Sequence, residues 1–106
     1  MTAYAIARIR ILDPIRYRQY QVAVASVVEK YGGRFLSRGG KQDVLEGDDR
    51  LDRVVLLEFP NYQLAATFFK SAEYAEAKQY RVGSAEFQFL VLDGTDARHA
   101  VAQLNA

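Results

Sequence analysis

The order in which hydrophobic periodicity changes along the chain constrains its fold more than any motif does. Ala3 to Leu12 alternates apolar and polar residues, the period of a strand. Asp13 and Pro14 then stop it, Asp13 as a helix cap and Pro14 at a first helical position where a missing N–H costs nothing. Tyr17, Tyr20, Val24, Val27, Val28 and Tyr31 follow at spacings of three and four, one stripe along a helix. Gly32 and Gly33 stand where a helix end favours a left-handed residue. Gly33 to Gly47 is expected to form a longer strand interrupted by glycines, and Asp48 to Asp52 a polar turn. "RVVLLEF" is a third strand. Asn61 and Ser71 cap two helical pieces before Arg81, and "EFQFLVL" is a fourth strand closed by Asp93-Gly94.

The order is therefore β-α-β-β-α-β, a ferredoxin-like α+β arrangement with a four-stranded antiparallel sheet and helices on one face. A chain of 106 residues is most simply one domain, expected over residues 1–94, with 95–106 as a C-terminal tail or short helix.

Strand alternation assigns two faces. Ala5, Ala7, Ile9, Ile11, Val55, Leu57, Phe59, Phe87, Phe89 and Val91 form the apolar face the helices cover. The other frame carries Tyr4, Ile6, Arg8, Leu36, Arg38, Leu56, Glu58, Leu90 and Leu92, too apolar to face water yet holding several charges. A second subunit laid across it predicts a two-fold homodimer with a partly polar interior. Inside that chamber Glu58 needs a partner, expected to be Arg8 or Arg38. The bland reading is a structural ion pair. The sharper one makes the arginines anchors for an anionic ligand and Glu58 an acid or base. Tyr74, Lys78 and Arg81, four and three residues apart, are placed at the chamber mouth, with Lys78 read as a surface charge.

Other motifs are weak. "SRGGKQD" lacks the lysine and hydroxyl of a Walker loop and opens no helix. RNA binding through Arg34, Arg38 and Lys41 is disfavoured by a formal net charge of +1. His99 is the only histidine, which argues against a triad, a histidine-held metal or haem. "EGDDRLD" lacks EF-hand spacing. With no cysteine, no secretory layout at the N-terminus and no apolar run near the ~20 residues of a membrane span, a cytoplasmic protein without cofactor, metal, membrane or nucleic-acid partner is expected.

"YGGRFLSRGG", "VLEG", "RVVLLEFP" and "FFKSAEY" with Arg81 together resemble the domain-of-unknown-function family DUF1330, from about Ala3 to Gly94. The matching positions are Gly33, Arg34, Arg38, Gly39, Gly40, Glu58, Phe59, Pro60, Ser71, Glu73, Tyr74 and Arg81. The resemblance implies a subunit of a dimeric α+β barrel, in a superfamily that also holds cofactor-free monooxygenases, haem-dependent peroxidases and lactone isomerases. The family has no settled activity. Phe68-Phe69 stands where its pattern often has Trp-Tyr, which removes a polar tip from the site.

The functional expectation is a barrel binding a small anionic or aromatic metabolite. An isomerase or cofactor-free monooxygenase version would use Glu58 as base and Arg38 as clamp, with Arg8, Arg38, Tyr74, Arg81 and Tyr4 holding the ligand. The alternative is a non-enzymatic binding or interaction module in which these charges are structural.

Overall fold

The computed structural model describes residues 1–48 and 52–95. The expected tail from 96 onward, His99 within it, and the middle of the Asp48–Asp52 turn lie outside the described residues. The element order is β1 (Ala3–Ile11), α1 (Pro14–Lys30), β2 (Arg34–Arg38), β3 (Arg53–Phe59), α2 (Tyr62–Lys70), α3 (Ala72–Lys78) and β4 (Ala85–Asp93). The strands form one antiparallel sheet in the order β2-β3-β1-β4.

The expected caps are in place. The Asp13 carboxylate accepts from the backbone N–H groups of Ile15 and Arg16, Asn61 Oδ1 from Leu64 N, and Ser71 Oγ from Tyr74 N. Each satisfies a donor that the first helical turn leaves open. Gly32, at φ +78°, takes the left-handed conformation after α1.

The helices cover one sheet face, and the core between them follows the expected frames. Ala5, Ala7 and Ile9 of β1 meet Tyr17, Tyr20, Val24 and Val28 of α1, with Val55, Leu57 and Phe59 of β3 alongside. Three alanines on the central strand, Ala3, Ala5 and Ala7, leave room beneath the helices for large rings, and Tyr74, Phe59 and Phe68 are the largest fully buried side chains. Among the described residues no helix is long and apolar enough to cross a membrane.

Two expectations are corrected. The second strand is short: β2 ends at Arg38, and no strand continues from Gly39 to Gly47. The pairing of β2 with β3 also changes register between Phe35 and Ser37, so Arg34 faces Glu58 and Phe35 faces Leu57, but Ser37 faces Leu56 and Arg38 faces Val55. Leu36 is the extra residue of a β-bulge. Because side chains alternate with period two, one inserted residue turns everything after it to the other face. Lying before Arg38, the bulge moves Arg38 from the open face expected for it to the helix-covered side.

Candidate functional site

The face the helices leave open is built from cross-strand rows. One row runs Arg34, Glu58, Tyr4, Leu92 across β2, β3, β1 and β4, and the next includes Ser37, Leu56, Ile6 and Leu90. Leu36, Leu90 and Leu92 are 42%, 50% and 52% exposed, an apolar patch on a single subunit. Glu58 Oε1 accepts from Arg34 Nε at 2.9 Å, and Arg8 Nη2 pairs with Asp52 Oδ2 at 3.3 Å. The partner of Glu58 is thus Arg34, directly opposite on the neighbouring strand, and not Arg8 or Arg38. Both pairs are partly exposed in one subunit.

Arg38 lies across the sheet from Glu58. Its guanidinium rests 4.2 Å from the centre of the Phe35 ring, and Nη2 donates to the Gln21 backbone carbonyl of α1 at 2.8 Å. A single ligand cannot be shared by Glu58 as base and Arg38 as clamp, since the sheet separates them. Tyr74 and Arg81 also lie on the helix side, so the expected ligand set divides in two: Tyr4 and Arg8 with Glu58 on the open face, Arg38, Tyr74 and Arg81 under the helices.

Among the described residues, the helix side holds a partly enclosed space. A cavity of about 30 Å³ lies over Ala7, where the central strand has no bulk, and is walled by Tyr17, Tyr20, Phe35, Phe87 and Phe89 with Arg38 at its rim. That volume admits about two waters. An aromatic ring does not fit in that volume as it stands.

Deeper in lie further polar groups. The Tyr20 and Tyr74 hydroxyls are 2.9 Å apart, with Tyr74 itself 1% exposed. Arg81 lies over the Phe87 ring, 4.2 Å from its centre, and 5.9 Å from the centre of the Tyr74 ring, while its Nε is buried without a partner among the described residues. Burial raises both tyrosines above the ordinary phenol value, Tyr20 further through Tyr74; at Tyr74 the hydrogen bond with Tyr20 and the Arg81 charge pull partly back. Both stay neutral hydroxyls at any working pH.

Arg53, Arg18 and Gln21 were not singled out from sequence, and Tyr17 only as part of the α1 stripe. Arg53 precedes Val55 by two and so belongs to the helix-facing frame, a signal the alternation does contain. Its guanidinium lies 5.9 Å from the centre of the Tyr17 ring; burial raises the Tyr17 hydroxyl and the Arg53 charge partly restores it. Arg18 and Gln21 flank the buried stripe of α1, one residue after Tyr17 and Tyr20.

Fold and pocket together define a ferredoxin-like α+β protein with its internal space on the helix side of the sheet. The chain belongs to the DUF1330 family, a domain of unknown function, whose model matches residues 2–95. No curated protein matches it. Among solved structures it is similar to a protein of unknown function from Rhodopseudomonas palustris, at 18% identity and TM-score 0.70 over 90% of this chain and 83% of that one. It is also similar to SnoaB, a cofactor-independent oxygenase from Streptomyces nogalater, at 8% identity and TM-score 0.64 over 91% and 95%. A dimeric ferredoxin-like protein of unknown function from Thermobifida fusca matches at 12% and 0.58 over 89% and 92%. At such identities these likenesses establish the fold.

Proposed function

We propose that the protein is a homodimer that holds a small aromatic ligand between α1 and the sheet, with the open sheet face occupied by a second copy of the chain. The observation that carries the pocket is the set of aromatic side chains around Ala7, whose lining also includes Arg38 and its hydrogen-bond partner Gln21. Aromatic walls stack flat ligands and exclude water, and small-molecule sites have this mostly apolar lining with a few polar groups. Supporting the dimer are the exposed leucines of the open face and the likeness to proteins described as dimeric. In this reading Glu58, Arg34, Arg8 and Tyr4 set the register between subunits.

A second reading, isomerisation or cofactor-free oxygenation, is favoured by the Tyr20–Tyr74 hydroxyl pair beside the same pocket, with Arg81 over the Tyr74 ring, and by the likeness to SnoaB. Tyr20 lines the cavity and is the hydroxyl placed to give a hydrogen bond to a ligand oxygen.

Two measurements test the first reading. Native mass spectrometry should give a dimer. Titration with phenol, followed by amide chemical shifts, should perturb α1 and the helix-facing residues of β1 and β3. Perturbations confined to Tyr4, Ile6, Leu90 and their neighbours would place binding in the chamber between subunits and refute it.

A further inference from the structure

Resting on the pocket proposed above, we infer that its mouth is a site for a doubly charged oxyanion, so that the ligand is an aromatic ring carrying a phosphoryl group or paired carboxylates. Arg18 from α1, Arg38 from β2 and Arg53 from β3 converge on one open groove of about 490 Å³, completed by Gln21, Val22 and Ala25. No Asp or Glu lines it among the described residues. The carboxylates of Asp52, Glu58 and Glu73 are engaged elsewhere, by Arg8, Arg34 and Lys30.

The groove is shaped around its cations. Gly39 is held at φ +70°, and a Cβ there would run into the Arg53 guanidinium, so the chain after β2 is bent to clear that side chain. Arg53 Nε is buried and has no partner among the described residues. Arg38 bonds a neutral carbonyl, a weaker acceptor than an oxyanion. An anion arriving at the groove would therefore draw Arg38 off Gln21. Arg38 and Gln21 line both spaces, so a ring inside and its charged group outside form one continuous ligand. Three guanidinium groups leave a single carboxylate short of charge and of acceptor oxygens. A dianion supplies both, and guanidinium forks match phosphate and carboxylate geometry.

The test is isothermal titration of the intact protein with phenol, benzoate, phthalate and phenyl phosphate. The expected result is that a dianion binds at least ~10-fold tighter than benzoate, the gain of one charge-assisted hydrogen bond. The tighter of phthalate and phenyl phosphate then identifies the source of the charge. Arg53→Gln and Arg18→Gln should each remove that margin. Arg16→Gln, which deletes an exposed arginine bonded to the Gln79 carbonyl, should preserve the margin. Arg18 is exposed, so its variant carries the test if Arg53→Gln fails to fold. Phenol binding as tightly as phenyl phosphate overturns the dianion site and leaves the pocket standing. No binding of any probe, phenol included, overturns both.

Discussion

Arg38 and Glu58 lie on opposite faces of the same sheet: Arg38 donates to the Gln21 carbonyl of α1 beneath the helices, while Glu58 accepts from Arg34 on the open side. The single bulge residue Leu36 produces that separation, and it divides the charged residues of the chain between two tasks. In the function proposed above, those on the open face serve subunit pairing and those under the helices serve the pocket.

Subunit pairing through the open face predicts that Leu90→Lys gives a folded monomer. Leu90 is half exposed in one subunit, so the lysine is solvated there and desolvated only on association. Size-exclusion chromatography with light scattering should show half the wild-type mass with an unchanged far-UV spectrum. A retained dimer would show that the face is not the interface.

The Arg34–Glu58 pair separates interface energy from subunit stability. Exposed as it is in one subunit, its loss in Arg34→Gln should cost the isolated subunit no more than ~1 kcal/mol. Dimer dissociation measured by dilution should shift much more, because pairing would bury the unpartnered Glu58 carboxylate. Equal effects on both would remove the pair from the interface.

Glu73 joins the end of α1 to the start of α3, accepting from Tyr31 Oη at 2.6 Å and from Lys30 Nζ at 2.9 Å. The Tyr31 hydroxyl first, then Lys30, hold its carboxyl down at about 2, against an ordinary 4.5. A folded-state value below the unfolded one means the stabilisation is complete above about 4.5 and is lost as pH falls toward 2. Urea denaturation of wild type and Glu73→Gln should therefore differ most at neutral pH and converge on acidification. A gap that persists undiminished at low pH would rule out the ionised carboxylate as its source.

Gly33→Ala should destabilise the fold by ~1–3 kcal/mol, the range for overpacking a core. An added Cβ would stand 2.6 Å from Cε1 of Phe59, a ring with no exposed surface and no room to withdraw. Thermal unfolding would show a lowered midpoint. An unchanged midpoint would mean that strand β2 can shift away from β3 at no cost.

Tyr20→Phe should remain folded and lose ~1 kcal/mol, the net worth of one neutral buried hydrogen bond. That bond is the one between the Tyr20 and Tyr74 hydroxyls, 2.9 Å apart. Chemical denaturation checks the magnitude; a loss several times larger would mean that Tyr20 holds more of the core than its hydroxyl contact accounts for.

Much of the architecture was legible because the relevant physics is local. The Asp13, Asn61 and Ser71 caps, the α1 stripe from Tyr17 to Val28, and the alternation of β1, β3 and β4 each depend on residues within a few positions of one another. A regular strand shows its two faces in its own sequence, and that logic also contained Arg53, two residues before Val55.

In β2 it failed. Whether a strand carries a bulge depends on the hydrogen bonds and packing its neighbours offer: here the pairing partner β3, the Gln21 carbonyl on a helix 17 residues back, and the space Gly39 leaves for Arg53. None of these is encoded within "RFLSR" itself. Composition and periodicity determined the element order and three of the four strand faces; tertiary contact alone decided the face of Arg38, because one inserted residue inverts a period of two and only the packed sheet records where it falls.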